Sequence, residues 1–158
     1  MTNTKQFIIQ LLDMNGGEIC GRNRLQKLLY LCRAMGAGLD ASYCLRVHGP
    51  FSQEVSDVLH DCIADNVLSE TNGIIQRGGS PSVSQPLPRD AQGIICHVLE
   101  VCRGMGEGEL ERIAKIVFIA KQRIGDADRD DVLKTRLWEA SSLKKKSQMR
   151  MIRRTEKF

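Results

Sequence analysis

GRNRLQKLLYLCRAMG at residues 21–36 and YCLRVHGPFSQEVSDVLHDCI at residues 43–63 decide how this chain folds. In the first, Leu25, Leu28, Leu29 and Cys32 recur at i, i+3, i+4 and i+7, and in the second Val55, Val58, Leu59, Cys62 and Ile63 repeat the pattern. That spacing matches the helical period and predicts two amphipathic helices, each with one buried face. Between them Tyr43, Leu45 and Val47 alternate with Ser42, Cys44 and Arg46. Alternation of this kind predicts a half-buried strand. Gly49-Pro50 is expected to end that strand, and Ser52 to cap the second helix by accepting from its free N–H groups. The stretch holds no nucleophile with a base beside it. It reads as a recognition module.

Working outward, Asn3 or Thr4 is placed to cap a first helix with Phe7, Ile8, Leu11 and Leu12 on one face, and Gly16-Gly17 breaks it. The Arg22–Met35 helix stops near Gly36 and Gly38, residues that accept the left-handed conformation of a helix end. After the Ser52–Asp65 helix, Val67–Glu70 and Ile74–Gln76 flank Thr71-Asn72-Gly73. Asn-Gly supplies the positive φ of a tight hairpin. Three helices and a hairpin, with an extra extended segment before the third helix, follow the order of a winged helix. GGSPSVSQPLP from Gly78 to Pro88 predicts an exposed, mobile link. Ile95, Val98, Leu99 and Cys102 predict a helix from about Asp90. Leu110, Ile113, Ala114, Val117 and Phe118 predict another. A further helix, capped by Asp126 or Asp128, carries Val132, Leu133, Leu137 and Trp138. The expected fold is mainly α: one domain over residues 1–143, followed by a basic tail at 144–158. Its winged-helix-like half, with a small β-hairpin, covers residues 1–77. A linker at 78–89 leads to a C-terminal helical layer at 90–143.

A chain of 158 residues with 42% hydrophobic and 4% aromatic content can bury one core, built mostly from aliphatic side chains. No apolar run approaches the length of a membrane helix, and Met-Thr-Asn-Thr-Lys does not open a signal peptide, so a cytoplasmic protein is expected. The six cysteines form no C-x-x-C pair, and Cys32, Cys62 and Cys102 sit on or beside apolar stripes. They read as reduced core residues, with no metal site and no cofactor. Charge is uneven. From Lys134 onward nine Lys/Arg face only Glu139 and Glu156, a surplus larger than the whole chain's +4, so the body is slightly acidic and the tail basic.

LQKLLYL, the extended Tyr-x-Leu segment and HGPFSQEVSDVLHDCIADNVLSE together resemble the SocA-like antitoxin domain, also called the Panacea domain, and its YwgA-like relatives. The likeness covers roughly residues 3 to 76 and continues more weakly through LERIAKIVFIAK and the Trp-containing segment. His48 stands where the family usually has Tyr, Phe51 where it has Tyr or Val, and Asn66-Val67-Leu68 replaces Gly-Leu-Ile. None of these motifs is catalytic. The resemblance implies an antitoxin that neutralises a toxin by direct contact, or an adaptor that delivers one to a protease, within a toxin–antitoxin system.

Other features carry less. Gly104-Met-Gly106-Glu-Gly108 lacks the strand and spacing of a phosphate loop and reads as an interhelix turn. Asp126, Asp128, Asp130 and Asp131 lack the Gly and closing Glu of a calcium loop and read as a helix start. In the Ser52–Asp65 helix the outward residues are Gln53, Glu54, Ser56, Asp57, His60, Asp61 and Asp65. Four carboxylates there oppose duplex DNA, whose affinity comes largely from neutralised phosphates.

A partner-binding site is expected on Tyr43, His48 and Phe51 together with the exposed side of the preceding helix, chiefly Arg22, Arg24 and Lys27. The alternative for Phe51 is an inward turn that closes the core, and for His48 the packing role of the family's Tyr. The tail residues Lys144, Lys145, Lys146, Arg150, Arg153 and Arg154 are candidates for nonspecific nucleic-acid or acidic-partner contact, or a plain solvated terminus. The expected function is a non-enzymatic protein-binding module of the antitoxin type. The alternatives are a winged-helix DNA-binding regulator, or a small subunit of a phage, mobile-element or defence nucleoprotein assembly.

Overall fold

Helix α2 (Arg22–Ala34) is the axis on which the other elements are assembled. The structure is a computed structural model that describes residues 2–81 and 85–123. The expected Asp126/Asp128 helix with Trp138 and the basic tail lie outside the described residues. Those residues form a mainly α structure with five helices and two small antiparallel sheets. Helix α1 (Thr4–Met14) is followed by β1 (Glu18–Cys20), α2, a hairpin of β2 (Cys44–Arg46) and β3 (Gly49–Phe51), and α3 (Gln53–Ala64). A second hairpin, β4 (Leu68–Thr71) and β5 (Ile74–Arg77), leads to α4 (Arg89–Cys102) and α5 (Glu107–Arg123).

Helix α2 packs against α1, α4, α5, β1 and β3. Periodicity predicts one buried face for it, yet the whole run from Leu25 to Cys32 is buried. A helix surrounded on all sides has no solvent face to spare. Each fully buried Leu in it contributes about 1.5–3 kcal/mol. Gln26 and Lys27 are drawn inside with their neighbours, and their polar ends must find partners there.

The first sheet has the strand order β1-β5-β4, with Ile19 opposite Ile75 and Thr71 opposite Ile74. Ile19, Leu68 and Ile75 turn into the core. Asn72 (φ 53°) and Gly73 (φ 77°) supply the two left-handed residues expected of the Asn-Gly turn. Three-residue β1 has too little alternation to stand out in sequence; it exists because β5 offers it a free edge.

Three expectations change. The segment around Tyr43–Val47 is not a half-buried strand, because Cys44, Leu45 and Arg46 are all exposed in a strand paired with β3. Gly49-Pro50 does not end a strand but begins the return strand, with Val47-His48 at the turn. Asn3 does not cap α1 with its side chain; it donates to Gly38 O (2.8 Å) and accepts from Asp40 N (2.8 Å), tying the loop after α2 to the N-terminus. The Gly78–Pro88 link is also partly fastened. Gly78 and Ser80 donate to the carbonyls of Val67 and Asn66, and Leu87 is buried. A Cβ at Gly78 would overlap the Asn66 carbonyl, so only glycine fits there.

Candidate functional site

The His-Gly-Pro-Phe-Ser corner is built on the two buried polar residues of α2. Gln26 Nε2 donates to Ser52 O (2.9 Å) and Ser52 N donates to Gln26 Oε1 (3.0 Å), a reciprocal pair sealed from solvent. Ser52 Oγ accepts from Val55 N, the helix cap expected from sequence. One residue on, Lys27 is only 3% exposed and its Nζ donates to Pro50 O (3.1 Å). Burial pushes its ammonium below the usual lysine range, partly offset by Glu111 nearby. Gly49 lies at φ +101°, and a Cβ there would sit 3.2 Å from Lys27 Cε. The glycine is what lets the hairpin close over the lysine.

Outside this seat the hairpin is open. His48 is exposed, with Nδ1 3.8 Å from a Glu111 oxygen. Glu111 also accepts from Lys115 Nζ (2.9 Å), the bond that does most to hold its carboxyl below the usual range. Phe51 is half-buried, and the Arg46 guanidinium lies 3.9 Å from its ring centre. It is neither a free aromatic nor a full core residue. Tyr43 turns inward against buried Tyr30, with ring centres 5.1 Å apart.

The six expected partner-binding residues therefore separate. His48, Phe51 and Tyr43 belong to the hairpin region. Lys27, expected on an exposed face, is buried beneath it, because α5 and β3 cover the side of α2 that periodicity leaves to solvent. Arg24 is half-buried and donates to Met105 O (2.8 Å) and Cys102 O (3.0 Å), at the end of α4. Arg22 is exposed but held by Glu70 of β4 (2.7 Å), which raises its pKa through that hydrogen bond. Lys144, Lys145, Lys146, Arg150, Arg153 and Arg154 lie outside the described residues.

Arg24 has a structural task that is easily tested. Its two hydrogen bonds go to the carbonyl of Cys102, the last residue of α4, and to that of Met105 in the turn beyond, where a cation also faces the negative dipole end. Arg24→Met is expected to lower stability by about 1.5–3 kcal/mol in urea unfolding, the range for hydrogen bonds to a charged group. A loss below about 0.5 kcal/mol, typical of a plain surface site, would contradict the assignment.

Sequence reading missed the exposed apolar residues. Among the described residues the large exposed hydrophobics are Leu45 (46%), Val47 (82%), Ile116 (56%) and Ile119 (41%). Leu45 and Val47 had been placed on the inner face of the expected strand. Ile116 and Ile119 fall outside the α5 stripe, and an apolar residue off its helix's stripe was the available signal. Leu45 and Val47 lie on β2 and its turn, and the strand paired with β2 joins them to α5: β3 lies against α5, with Gly49 facing Glu111 and Lys115, and Ile119 is one turn beyond Lys115. Arg46, Arg112 and Arg123 are exposed on the same elements.

The cleft between α2 and the start of α5, lined by Asn23, Arg24, Lys27, Glu107, Leu110 and Glu111, holds about 20 Å³, room for one water. No group of three His, Cys, Asp or Glu among the described residues is arranged to hold a metal ion, and no helix there is long and apolar enough to cross a membrane. In comparisons with family models, with curated proteins and with solved structures, nothing matches this chain.

Proposed function

We propose that this chain is a non-catalytic protein-binding module of the SocA/Panacea antitoxin type, acting by direct contact through the β2–β3 hairpin and the adjacent face of α5. The resemblance of LQKLLYL and HGPFSQEVSDVLHDCI to that family supports the type. The observation that carries the binding surface is the exposure of Leu45 and Val47 on a hairpin whose base is fastened through Gln26 and Lys27. A preorganised corner loses little ordering entropy on binding. Apolar side chains left in water at such a place mark an interaction site.

A winged-helix-like reading of residues 1–77 is supported by the helix–strand–helix–helix–hairpin order left when the β2–β3 hairpin between α2 and α3 is set aside, and by the β1-β5-β4 arrangement. It raises the alternative of a DNA-binding regulator. The surface of α3 weighs against that alternative: Glu54, Asp57, Asp61 and Asp65 are exposed, Gln53 is engaged with Asp57, and the helix has no Lys or Arg. Counterion release, the main source of duplex affinity, is opposed there.

The test is a neutralisation assay. The open reading frame adjacent to this gene is expressed alone and together with this chain, and growth is measured. Relief of toxicity by the unaltered chain is expected. A Leu45→Glu/Val47→Glu variant should lose that relief while keeping its melting temperature, because truncating or charging an interface anchor costs about 2 kcal/mol or more of binding. Absence of a toxic neighbour would overturn the antitoxin reading, and full relief by the double variant would overturn the surface. Salt-dependent binding to upstream duplex DNA that vanishes on replacing Gln53 and His60 would establish the regulator instead.

A further inference from the structure

A pocket of about 240 Å³ opens where α2, the loop after it and the end of α5 meet. Tyr30, Tyr43 and Phe118 form its aromatic wall, Arg33 and Lys121 supply positive charge, and Ser42 and Gln122 stand at its exposed rim. Ser42 and Tyr43 directly precede β2, and none of the exposed hairpin residues Leu45, Val47 and His48 lines it. Its volume is below the roughly 300–1,000 Å³ of drug-sized sites and suits a single side chain or a small molecule.

Two observations at this pocket point to a ligand. The hydroxyl oxygens of Tyr30 and Tyr43 are buried without a hydrogen-bond partner, although Tyr30 is 99% buried by its 1% exposure. An unpaired buried hydroxyl costs about 1–3 kcal/mol, so two side by side form a costly arrangement unless something completes them. The second observation is charge. The Arg33 guanidinium carbon stands 5.9 Å from the Tyr43 ring centre, placing a cation over one wall of the pocket. Two basic side chains and no carboxylate line the pocket, with the two hydroxyls buried behind its aromatic wall.

We propose that this pocket binds a carboxylate, its oxygens accepting from the Tyr30 and Tyr43 hydroxyls and facing Arg33. Both rings line the pocket while their oxygens are closed to solvent, so engagement needs a side-chain-scale shift. Tyr43 is the residue placed to make it, because it stands on the irregular segment before β2 and not on a helix. The aromatic wall fits either the methylene stem of an acidic side chain or the ring of a small aromatic acid. These are two sources of one chemistry.

The chain contains two tyrosines, and both line the pocket, so tyrosine-ring carbon NMR reports on this site alone. The full chain with labelled tyrosine is titrated with benzoate and with acetyl-glutamate amide. Benzamide and acetyl-glutamine amide are the neutral controls. Both ring signals are expected to shift saturably with at least one carboxylate, at a Kd on the order of 1 mM, and not with its amide. Saturation by benzoate alone assigns a free aromatic acid, and by acetyl-glutamate amide alone an acidic partner side chain. Arg33→Gln should weaken binding about tenfold or more, and Tyr43→Phe, which keeps the ring, should weaken it too. No saturable shift up to about 50 mM, equal shifts with the amides, or unchanged affinity in Arg33→Gln would overturn the proposal.

Discussion

Gln26→Ala is expected to destabilise this protein by roughly 2–4 kcal/mol, more than any polar change on its surface. The side chain makes two buried hydrogen bonds to one residue, Ser52, joining the central helix to the start of α3. After truncation the Ser52 carbonyl keeps its helical bond from Ser56 N, but the Ser52 N–H is left buried without a partner. An orphaned buried donor and the space vacated by the amide add together. Ser52→Ala is the natural comparison, since it removes only the cap to Val55 and should cost about 1 kcal/mol. Urea unfolding of both variants checks the ranking. If Gln26→Ala proved no more costly than Ser52→Ala, the seat of the hairpin would lie elsewhere. The Ser52 amide should also exchange much faster in Gln26→Ala, a local readout that global unfolding does not mimic.

The second large effect is an alkaline loss of stability centred on the tyrosines. Burial pushes the Tyr30 hydroxyl up to about 12, and burial also raises that of Tyr43. Each folded-state pKa lies above its unfolded value of about 10. The protein therefore holds protons that the unfolded chain releases, and stability falls as pH rises. For Tyr30 the contribution is intact below pH 10 and is lost between about pH 10 and 12. Two pKa units correspond to about 3 kcal/mol, and solvent screening from the pocket side reduces this to about 2 kcal/mol. Phenolate absorbance measures it directly, because Tyr30 and Tyr43 are the chain's two tyrosines. Absorbance should stay low past pH 10 and then rise together with unfolding. A smooth rise centred near pH 10 in the folded protein would show the hydroxyls to be accessible. Tyr30→Phe should flatten the alkaline limb and leave neutral-pH stability unchanged or higher, since it removes a hydroxyl that has no partner.

Both effects arise where polar atoms are inside for the sake of neighbours distant in sequence. Gln26, Lys27 and Tyr30 occupy one helix whose apolar spacing marks only Leu25, Leu28, Leu29 and Cys32 as buried. Their burial stems from α5, more than eighty residues on by the Tyr30–Phe118 contact, and from the hairpin that folds across them. The hairpin in turn depends on Lys27, since its amine satisfies Pro50 O and its stem packs under Gly49. None of this coupling is local.

The sequence alone determined the elements whose cause is local. Periodic apolar residues placed α1 to α5, Asn72-Gly73 placed the β4–β5 turn, Ser52 placed a cap, and Gly104 and Gly106 separated α4 from α5, although Gly108, expected in the same turn, lies in the first turn of α5. Cys32, Cys62 and Cys102 are buried, as their positions on apolar stripes indicated. Tertiary structure decided which sides of those elements stay wet. It exposed Leu45 and Val47, buried Lys27, occupied Arg24 with the end of α4 and brought Tyr30 and Tyr43 together without partners. The physical reason is the range of the forces involved. Backbone geometry and periodic burial act over a few residues and can be read along the chain, whereas the solvation of a polar side chain depends on whatever segment comes to lie over it.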